Sequence, residues 1–228
     1  MKITEGIYSI PEMGMSNAYL VEDGDKLLVI DTGMPGHARK IVSYVKSLGK
    51  DPRSVEIIVL THPDLDHSGS TAQLKQLTGA KVAIHEADAP RLAGEKPWRE
   101  AKGAAGLMIR IVGLFMRLQP VPPDISLKEG EKLGPLTVLE TPGHTRGSIS
   151  LYKAGTALFS GDALLTNGKG LFQKPSRMMN DEQAKESIRR MATLEFEYLM
   201  PGHGAPVEGN VSKKLKDFVD RELRALVG

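Results

Sequence analysis

Apolar and polar positions in the first third of the chain follow two different periods, which predict strands alternating with helices. Apolar runs of strand length end at polar turns, and the segments between them place apolar residues three and four positions apart. The predicted strands in this part are 3–10, 18–21, 27–30, 55–60 and 81–84. The predicted helices, each followed by a glycine that can end a helix, are 36–48 and 70–77.

Residues 87–118 have a helical composition that proline and glycine interrupt, and three prolines between positions 120 and 123 then break the chain. Strands return after this break. The predicted strands are 136–140, 148–152, 157–159 and 197–199, and the predicted helices are 181–194 and 212–226. Two such half-units would pack sheet against sheet with helices outside. The predicted fold class is therefore α/β, a four-layer αββα sandwich of two mixed β-sheets. We expect one domain over residues 1–228, with a helical insertion or lid at about 87–123.

The densest group of candidate metal ligands comes directly after the apolar run 55–60. Four potential ligands lie within six residues there, namely His62, Asp64, Asp66 and His67. A turn can aim several side chains at one spot, and the strand before the turn fixes where that spot lies. A polar loop that happens to contain two histidines is the alternative interpretation.

Three further segments repeat this arrangement, with a histidine or aspartate placed after glycine at the end of a predicted strand. These residues are His144, Asp162 and His203. Glycine lets the backbone bend and approach closely at such places. Because four of the six histidines occupy these positions, we favour a metal site over coincidence. The chain has no cysteine, so nitrogen and oxygen atoms must supply the ligands.

As a set, these motifs resemble those of the metallo-β-lactamase superfamily, over nearly the whole chain. The family has an aspartate after an early strand, then His-x-His-x-Asp-His, and then His, Asp and His. The matching residues here are Asp31, the segment from His62 to His67, His144, Asp162 and His203. The resemblance implies an αββα sandwich with a metal site at one edge of its two sheets.

The resemblance also implies how the ligands divide between two metal sites. The first site would use His62, Asp64 and His144, the second would use Asp66, His67 and His203, and Asp162 would bridge them. Asp31 would orient a ligand without binding metal itself.

Asp64 departs from the family pattern, which has a histidine at this place. A carboxylate still supplies an oxygen ligand of suitable reach, but it adds negative charge and hardness, which favour iron or manganese. We therefore expect two divalent metal ions, with zinc as the first expectation and iron or manganese as alternatives.

A pair of cations would share a water, lower its pKa and hold the resulting hydroxide for attack. Asp66 would orient that hydroxide and pass its proton to the leaving group. The predicted function is a metal-dependent hydrolase that cleaves an ester-type bond (lactone, thioester, ester or phosphoester) in a substrate with an apolar group. The alternatives are a di-iron or mononuclear iron redox enzyme of the same fold, and a non-catalytic binding protein on the same scaffold.

Two specific hydrolases are less favoured by the sequence. A glyoxalase II-like thioesterase is weakened because the chain ends soon after His203, which leaves no helical domain for gripping glutathione. An acyl-homoserine lactonase is weakened because the residues just after Asp162 lack the tyrosine expected there.

The remaining candidate features have ordinary explanations. His85 ends a predicted strand, which favours a surface or capping role, and His37 is expected to be exposed at the start of a helix. The segment 98–118 is apolar on much of its predicted helical surface. It fits a core helix as well as it fits a lid or dimer contact that would form an apolar pocket.

Composition and charge limit the partners and the location. The net charge is +2 over 228 residues, without a basic run that would indicate a nucleic-acid site. No segment has the length and apolarity of a signal peptide or a membrane span. We therefore expect a cytoplasmic protein that binds a small-molecule substrate, with no nucleic acid, no stable membrane association and the possibility of a homodimer.

Overall fold

The computed structural model describes residues 1–96, 119–174 and 179–222. The chain divides into two compact units, Met1–Ser126 and Leu127–Gly228. Each unit has a β-sheet and helices of its own. The expectation of a single domain over the whole chain stays a prediction.

The first unit is built on a mixed sheet whose strands lie side by side in chain order. Within the described residues these strands are β1 (Lys2–Thr4), β2 (Ile7–Ser9), β3 (Tyr19–Asp23), β4 (Lys26–Ile30), β5 (Val55–Val59), β6 (Lys81–His85) and β7 (Ile125–Leu127). Strands β1 to β4 pair antiparallel, whereas β4, β5 and β6 pair parallel. Strands β4 and β6 are buried at every residue after their first, as strands covered on both faces are.

Helices make the crossovers that parallel strands require in this unit. Helix α1 (Ala38–Ser47) and a 3₁₀ turn at Pro52–Ser54 connect β4 to β5, and α2 (Leu65–Ser68) and α3 (Thr71–Thr78) connect β5 to β6. A further short helix, α4 (Ala89–Leu92), follows β6. Helix α1 buries Ala38, Ile41 and Val45 against the sheet, and these residues belong to one apolar core with the strands. Gly79, in the left-handed conformation, ends α3 as the sequence predicted.

The second unit has a mixed sheet of its own in the described residues. Its strands are β8 (Lys132–Leu133), β9 (Leu136–Glu140), β10 (Ile149–Lys153), β11 (Ala157–Gly161), β14 (Tyr198–Pro201) and β15 (Val207–Glu208), in the order β15-β14-β11-β10-β9-β8. The pair β11–β14 is parallel and the other neighbours are antiparallel. A separate hairpin consists of β12 (Leu165–Thr166) and β13 (Phe172–Gln173).

Two helices accompany this second sheet, α5 (Asp181–Met191) and α6 (Val211–Glu222). The side chain of Asn180 caps α5 by accepting a hydrogen bond from the backbone N–H of Gln183 at 3.1 Å. Both helices contribute apolar residues to one core with β11 and β14, including Ile188 and Leu215.

Most long predicted elements are present within a few residues of their predicted ends, but the strand predicted over 3–10 is wrong. The chain turns at Glu5 and Gly6, where Gly6 has φ of +69°, and forms the hairpin β1–β2. The alternation continues through this tight turn, so the pattern cannot reveal it. Strands of two residues, such as β8, β13 and β15, are too short to show a period and were not predicted.

The segment 98–118 lies outside the described residues, so the lid, dimer and core interpretations stay predictions. At the edges of the expected insertion 87–123, α4 and the buried Val121 belong to the first unit. None of the helices in the described ranges is long and apolar enough to cross a membrane.

Candidate metal centre

The parallel strands of the first unit bring two of its predicted site residues to the same edge of the sheet. Asp31 directly follows β4, and His62 comes three residues after β5. The backbone N–H of Asp31 donates to the carbonyl of Val59 at 2.9 Å, which continues the strand pairing up to the turn. The carboxyl ends of neighbouring parallel strands therefore deliver both side chains to one place.

The buried carboxylate of Asp31 organises this edge. Its Oδ1 accepts a hydrogen bond from the backbone N–H of Thr61 at 2.8 Å, and its Oδ2 accepts from the Thr61 hydroxyl, also at 2.8 Å. The same Oδ2 lies 2.8 Å from Nδ1 of His67. Asp31 is 2% exposed and has φ of +58°, a left-handed conformation that aspartate tolerates better than most residues.

These bonds fix which nitrogen of each histidine is available to a metal. An ionised carboxylate can only accept, so the proton of His67 lies on Nδ1 and its Nε2 carries the lone pair. The Thr61 hydroxyl donates its single proton to Asp31. Its oxygen can therefore only accept from Nδ1 of His62, which lies 3.0 Å away, so this nitrogen carries the proton. Asp31 therefore sets the tautomer of His67 directly and that of His62 through Thr61.

The short helix α2 places the other ligands of this segment. Asp64 is its N-cap residue, and the Asp64 carbonyl accepts from the N–H groups of His67 and Ser68, each at 2.9 Å. The carbonyl of His67 accepts from the backbone N–H of Thr32 at 2.6 Å and from the Thr32 hydroxyl at 3.0 Å. The helix is thereby fastened to the turn that carries Asp31.

The four predicted ligands of this segment lie close together. The candidate ligand atom of His62 lies within 4.8 Å of those of Asp64 and His67, and that of Asp66 lies within 4.8 Å of that of His67. His62 and His67 are fully buried, with ring centroids 4.1 Å apart. Asp66 is the most open of the four, with a side chain 24% exposed.

The second unit brings its three predicted ligands to one sheet edge in the same way. Strands β9, β11 and β14 run in the same direction, because β10 is antiparallel to both β9 and β11, and β14 is parallel to β11. His144, Asp162 and His203 follow the ends of these strands. Oδ2 of Asp162 lies 3.6 Å from Nε2 of His144 and 3.3 Å from Nε2 of His203.

The loop that carries His144 is clamped by helix α5. Gly143 has φ of +138°, and a Cβ there would lie 2.6 Å from Cα of Ala184, so only glycine fits. The Gly143 carbonyl accepts from the N–H groups of Met179 and Asn180 at 2.8 and 3.0 Å. The Ser187 hydroxyl donates to the carbonyl of Pro142 at 2.8 Å.

The loops that carry Asp162 and His203 are packed just as tightly against each other. The N–H of Gly202 donates to the carbonyl of Gly161 at 2.8 Å, and a Cβ on Gly202 would collide with Oδ1 of Asp162. The carbonyl of His203 accepts from the N–H of Thr166 at 3.2 Å, at the base of the β12–β13 hairpin. The glycines predicted to allow close approach therefore do so.

The two histidines outside the ligand motifs are both more buried than a surface position requires, and one of them has the predicted capping role. His85 is 7% exposed, so a surface position is wrong, although its Nδ1 accepts from the N–H of Ala87 at 3.2 Å and thus caps a turn. His37 is half-buried, because its ring packs against Gly33, and this burial, together with the charge of Lys40, lowers its pKa. Neither residue belongs to the ligand groups within the described chain.

Some supporting residues could not be found from the sequence. The Ser16 hydroxyl donates to the backbone carbonyl of Asp66, which ties the ligand segment to the loop between β2 and β3. Ser187 and Ala184 clamp the His144 loop from a helix more than forty residues away. A lone serine or alanine carries no local signal for such contacts.

The donor set in each unit fits a divalent cation. In both units the ligands are imidazole nitrogens and carboxylate oxygens, the types that zinc, iron and manganese accept. Most of these side chains are buried. Burying a carboxylate or an imidazole is costly unless it is paired or coordinates a metal. The chain therefore has candidate metal-ligand groups in both units.

Comparison with known proteins identifies relatives over most of the chain. Residues 11–203 match the sequence profile of the metallo-beta-lactamase superfamily. The probable metallo-hydrolase YflN of Bacillus subtilis (strain 168) is 31% identical over 91% of this chain and 88% of its own length. Acyl-coenzyme A thioesterase MBLAC2 of Homo sapiens is 30% identical over 70% of this chain and 64% of its own length.

Solved structures resemble this one throughout. The metallo-beta-lactamase family protein TTHA1429 from Thermus thermophilus matches with a TM-score of 0.73 and 24% identity, over 98% of this chain and 81% of its own. TTHA1623, solved in a di-iron-bound form, matches with a TM-score of 0.68 and 29% identity, over 88% of this chain and 93% of its own. These likenesses confirm the predicted fold class, an α/β fold with two mixed sheets.

Proposed function

The chain belongs to the metallo-β-lactamase superfamily and is a hydrolase, and we propose that it hydrolyses thioesters with the help of two metal ions. The observation that carries this proposal is the complete set of family ligands, each placed just after a strand or on the adjoining turn, in a chain related to an acyl-coenzyme A thioesterase. Zinc is the metal we propose first.

The proposed ligand sets are those that the family resemblance implies. One cation would bind His62, Asp64 and His144, the other would bind Asp66, His67 and His203, and Asp162 would bind both. The tautomers support this assignment for the first unit, because Asp31 and Thr61 place the proton of both histidines on Nδ1, so that the lone pair lies on Nε2. The position of Asp162 between His144 and His203 supports its bridging role in the second.

Iron is the alternative metal, and two observations favour it. Asp64 adds a hard oxygen ligand where the family pattern has a histidine, and carboxylate ligands suit iron and manganese better than zinc. The likeness to the di-iron-bound TTHA1623 points the same way. The metal and the reaction are separate questions, because a hydrolase can run on any of these cations.

The reaction breaks the C–S bond of the thioester and forms a C–O bond from water. Divalent cations at these ligands would supply two things, a lowered pKa for a shared water and polarisation of the carbonyl oxygen. The carboxylate of Asp66 would accept a proton from the attacking water and return it to the thiolate leaving group. Its partial exposure supports this role, because a shuttle must reach both solvent and substrate.

Other residues of both units do not react with the substrate but hold the ligands in place. Asp31 holds His67 at 2.8 Å, and the clamp of Ser187 on Pro142 holds the loop of His144. Small displacements of a reacting group cost large factors in rate, so this rigidity matters for turnover. We propose a small-molecule substrate with an apolar acyl group, and the predicted homodimer and cytoplasmic location remain proposals.

The test combines metal analysis with a substrate panel. The purified protein should contain two equivalents of zinc, manganese or iron, and should hydrolyse a thioester faster than a lactone or a phosphodiester. Asp162→Ala should lose both metal and activity, while the exposed Asp23→Ala should keep them. Normal turnover in Asp162→Ala would contradict the bridging role. Faster cleavage of the lactone or the phosphodiester would contradict the thioester proposal and identify that compound's class as the substrate class.

A further inference from the structure

A cavity of about 850 Å³ lies in the second unit, between the β12–β13 hairpin and helix α6. We call it the hairpin pocket. Its volume lies in the range of pockets that bind small molecules. Residues of the hairpin form one wall, and Lys214, Phe218 and Arg221 of α6 form the facing wall.

We propose that the hairpin pocket binds the phosphorylated, aromatic end of a thiol carrier of the coenzyme A type, as the leaving-group subsite of the substrate. This proposal rests on the proposed thioester hydrolysis and adds to it the class of thiol. It is supported by the aromatic side chains that line the pocket, by the cations that converge on it and by the hydrogen bonds that join its hairpin to the segment of His203.

Two aromatic side chains line the pocket. Phe172 of β13 and Phe218 of α6 make an edge-to-face contact, with ring centroids 5.7 Å apart. Phe218 is 8% exposed, so it is fixed in the core, whereas the neighbouring Leu171 is 61% exposed and adds open apolar surface. Such a surface suits a flat heteroaromatic ring, which gains free energy by covering apolar side chains.

Four cations line the pocket, and all but one of them have a carboxylate partner within the described residues. The lining cations are Lys174, Lys185, Lys214 and Arg221. Arg221 pairs with Glu222 at 2.9 Å. The four cations come from three separate elements, the hairpin, α5 and α6. Converging cations from separate elements suit a ligand that carries more than one negative charge.

Lys214 is the cation with the most charge left for a ligand. Lys174 and Lys185 both pair with Asp181, at 2.5 and 3.0 Å, and Lys185 also pairs with Glu182 at 2.7 Å. The ammonium of Lys214 instead donates to the backbone carbonyl of Glu208 at 3.1 Å. A carbonyl is neutral, so this bond orients the ammonium without offsetting its charge.

The pocket connects to the candidate metal centre through the base of the hairpin. Asn167 lines the pocket and directly follows Thr166, whose N–H donates to the carbonyl of the ligand His203 at 3.2 Å. The N–H of Ala205 also donates to the carbonyl of Asn167 at 3.4 Å. Hydrogen bonds therefore join the hairpin that lines the pocket to the segment that carries His203.

The first experiment measures binding without relying on catalysis. Adenosine 3′,5′-bisphosphate is titrated calorimetrically into the metal-loaded and the metal-free protein, with adenosine as the uncharged control. We expect the bisphosphate to bind in both metal states and to weaken as salt is raised, and adenosine to bind at least about tenfold more weakly. Binding that disappears with the metal would mean that the phosphates occupy the metal centre, which would overturn the proposal.

Matched variants on helix α6 locate the binding. Lys214→Gln should weaken the bisphosphate about tenfold, the effect of losing one charge-assisted hydrogen bond in an open pocket. Lys213→Gln removes the same charge from the adjacent exposed residue, outside the lining of the pocket, and should leave the affinity unchanged. Equal affinities for the two variants would overturn the assignment to the hairpin pocket.

A kinetic experiment distinguishes failure of the pocket proposal from failure of the proposed thioester hydrolysis. The preference in kcat/KM for an acyl-coenzyme A over the same acyl N-acetylcysteamine thioester should fall about tenfold in Lys214→Gln and stay at the wild-type value in Lys213→Gln. A protein that binds the bisphosphate but cleaves no thioester would refute the function and leave the pocket standing. A protein that cleaves both thioesters equally and binds no bisphosphate would refute the pocket alone.

Discussion

Replacing Asp31 with asparagine tests whether one buried carboxylate holds the histidine ligands of the first unit. Asparagine has nearly the same shape and tolerates the left-handed backbone at φ of +58°, so the turn is preserved. Its amide has one oxygen that can accept from Thr61, but its nitrogen only donates and cannot accept from Nδ1 of His67. The substitution therefore removes one specific acceptor and the charge.

The expected loss follows from the tautomer of His67. Facing an amide N–H, the imidazole gains a hydrogen bond only by moving its proton to Nε2, the nitrogen proposed to bind metal. Removing such a partner of a ligating histidine typically lowers metal affinity about 10- to 100-fold, which corresponds to about 1.4–2.8 kcal/mol. If the tautomer stays, a buried donor is left unsatisfied and stability falls by about 1–3 kcal/mol.

The assay measures metal affinity and stability separately. Affinity is obtained by competition of the metal-free protein with a chromophoric chelator, and stability from urea unfolding of the metal-free protein. The control is Asp25→Asn, an exposed aspartate of the same unit, which removes the same charge far from the ligands. Asp31→Asn with wild-type metal affinity and wild-type stability would refute the orienting role of Asp31. An equal loss of affinity in Asp25→Asn would attribute the effect to net charge.

Three further predictions concern residues around the candidate centre and elsewhere. Gly143→Ala should abolish metal binding because its Cβ would meet a helix backbone at 2.6 Å, whereas Gly155→Ala, with open space around it, should cost only about 1 kcal/mol in urea unfolding. The pKa of Asp124 is lowered, chiefly by its bond to Lys75, so Asp124→Asn should lose about 0.5 kcal/mol at pH 7. That difference should shrink as pH falls below about 4 and vanish once the aspartate is protonated in both states; a constant difference would contradict it. His85→Ala should lower unfolding stability by about 1–2 kcal/mol because the residue is buried, yet leave metal content unchanged; loss of metal would make it a further support of the centre.

Much of the candidate centre could be predicted from sequence because its ligands are tied to strand ends. The end of an apolar run shows where a buried strand stops, and a polar residue beside glycine just after it marks a candidate ligand on the turn. Asp31, Asp162 and His203 all follow strands that the apolar pattern located. The position of such a residue depends on local structure, which a single sequence records.

The parts that the sequence analysis missed depend on contacts between distant segments. The clamp of α5 on Gly143 joins residues about forty positions apart, and nothing near Ala184 or Ser187 marks them as partners of a ligand loop. The burial of His85 has the same origin, because its polarity predicts exposure and only packing around the end of β6 covers it. Strands of two residues are likewise set by their neighbours in the sheet rather than by a period of their own.

The proposed hydrolysis depends most on a pair of cations bound to this chain. The most direct test is to strip the purified protein with a chelator and restore zinc, and separately manganese and iron, in fractions of an equivalent while thioester hydrolysis is followed. We expect no activity in the stripped protein and a rise in activity that levels off at two equivalents of metal per chain. Undiminished hydrolysis by protein shown to hold no metal would contradict this expectation.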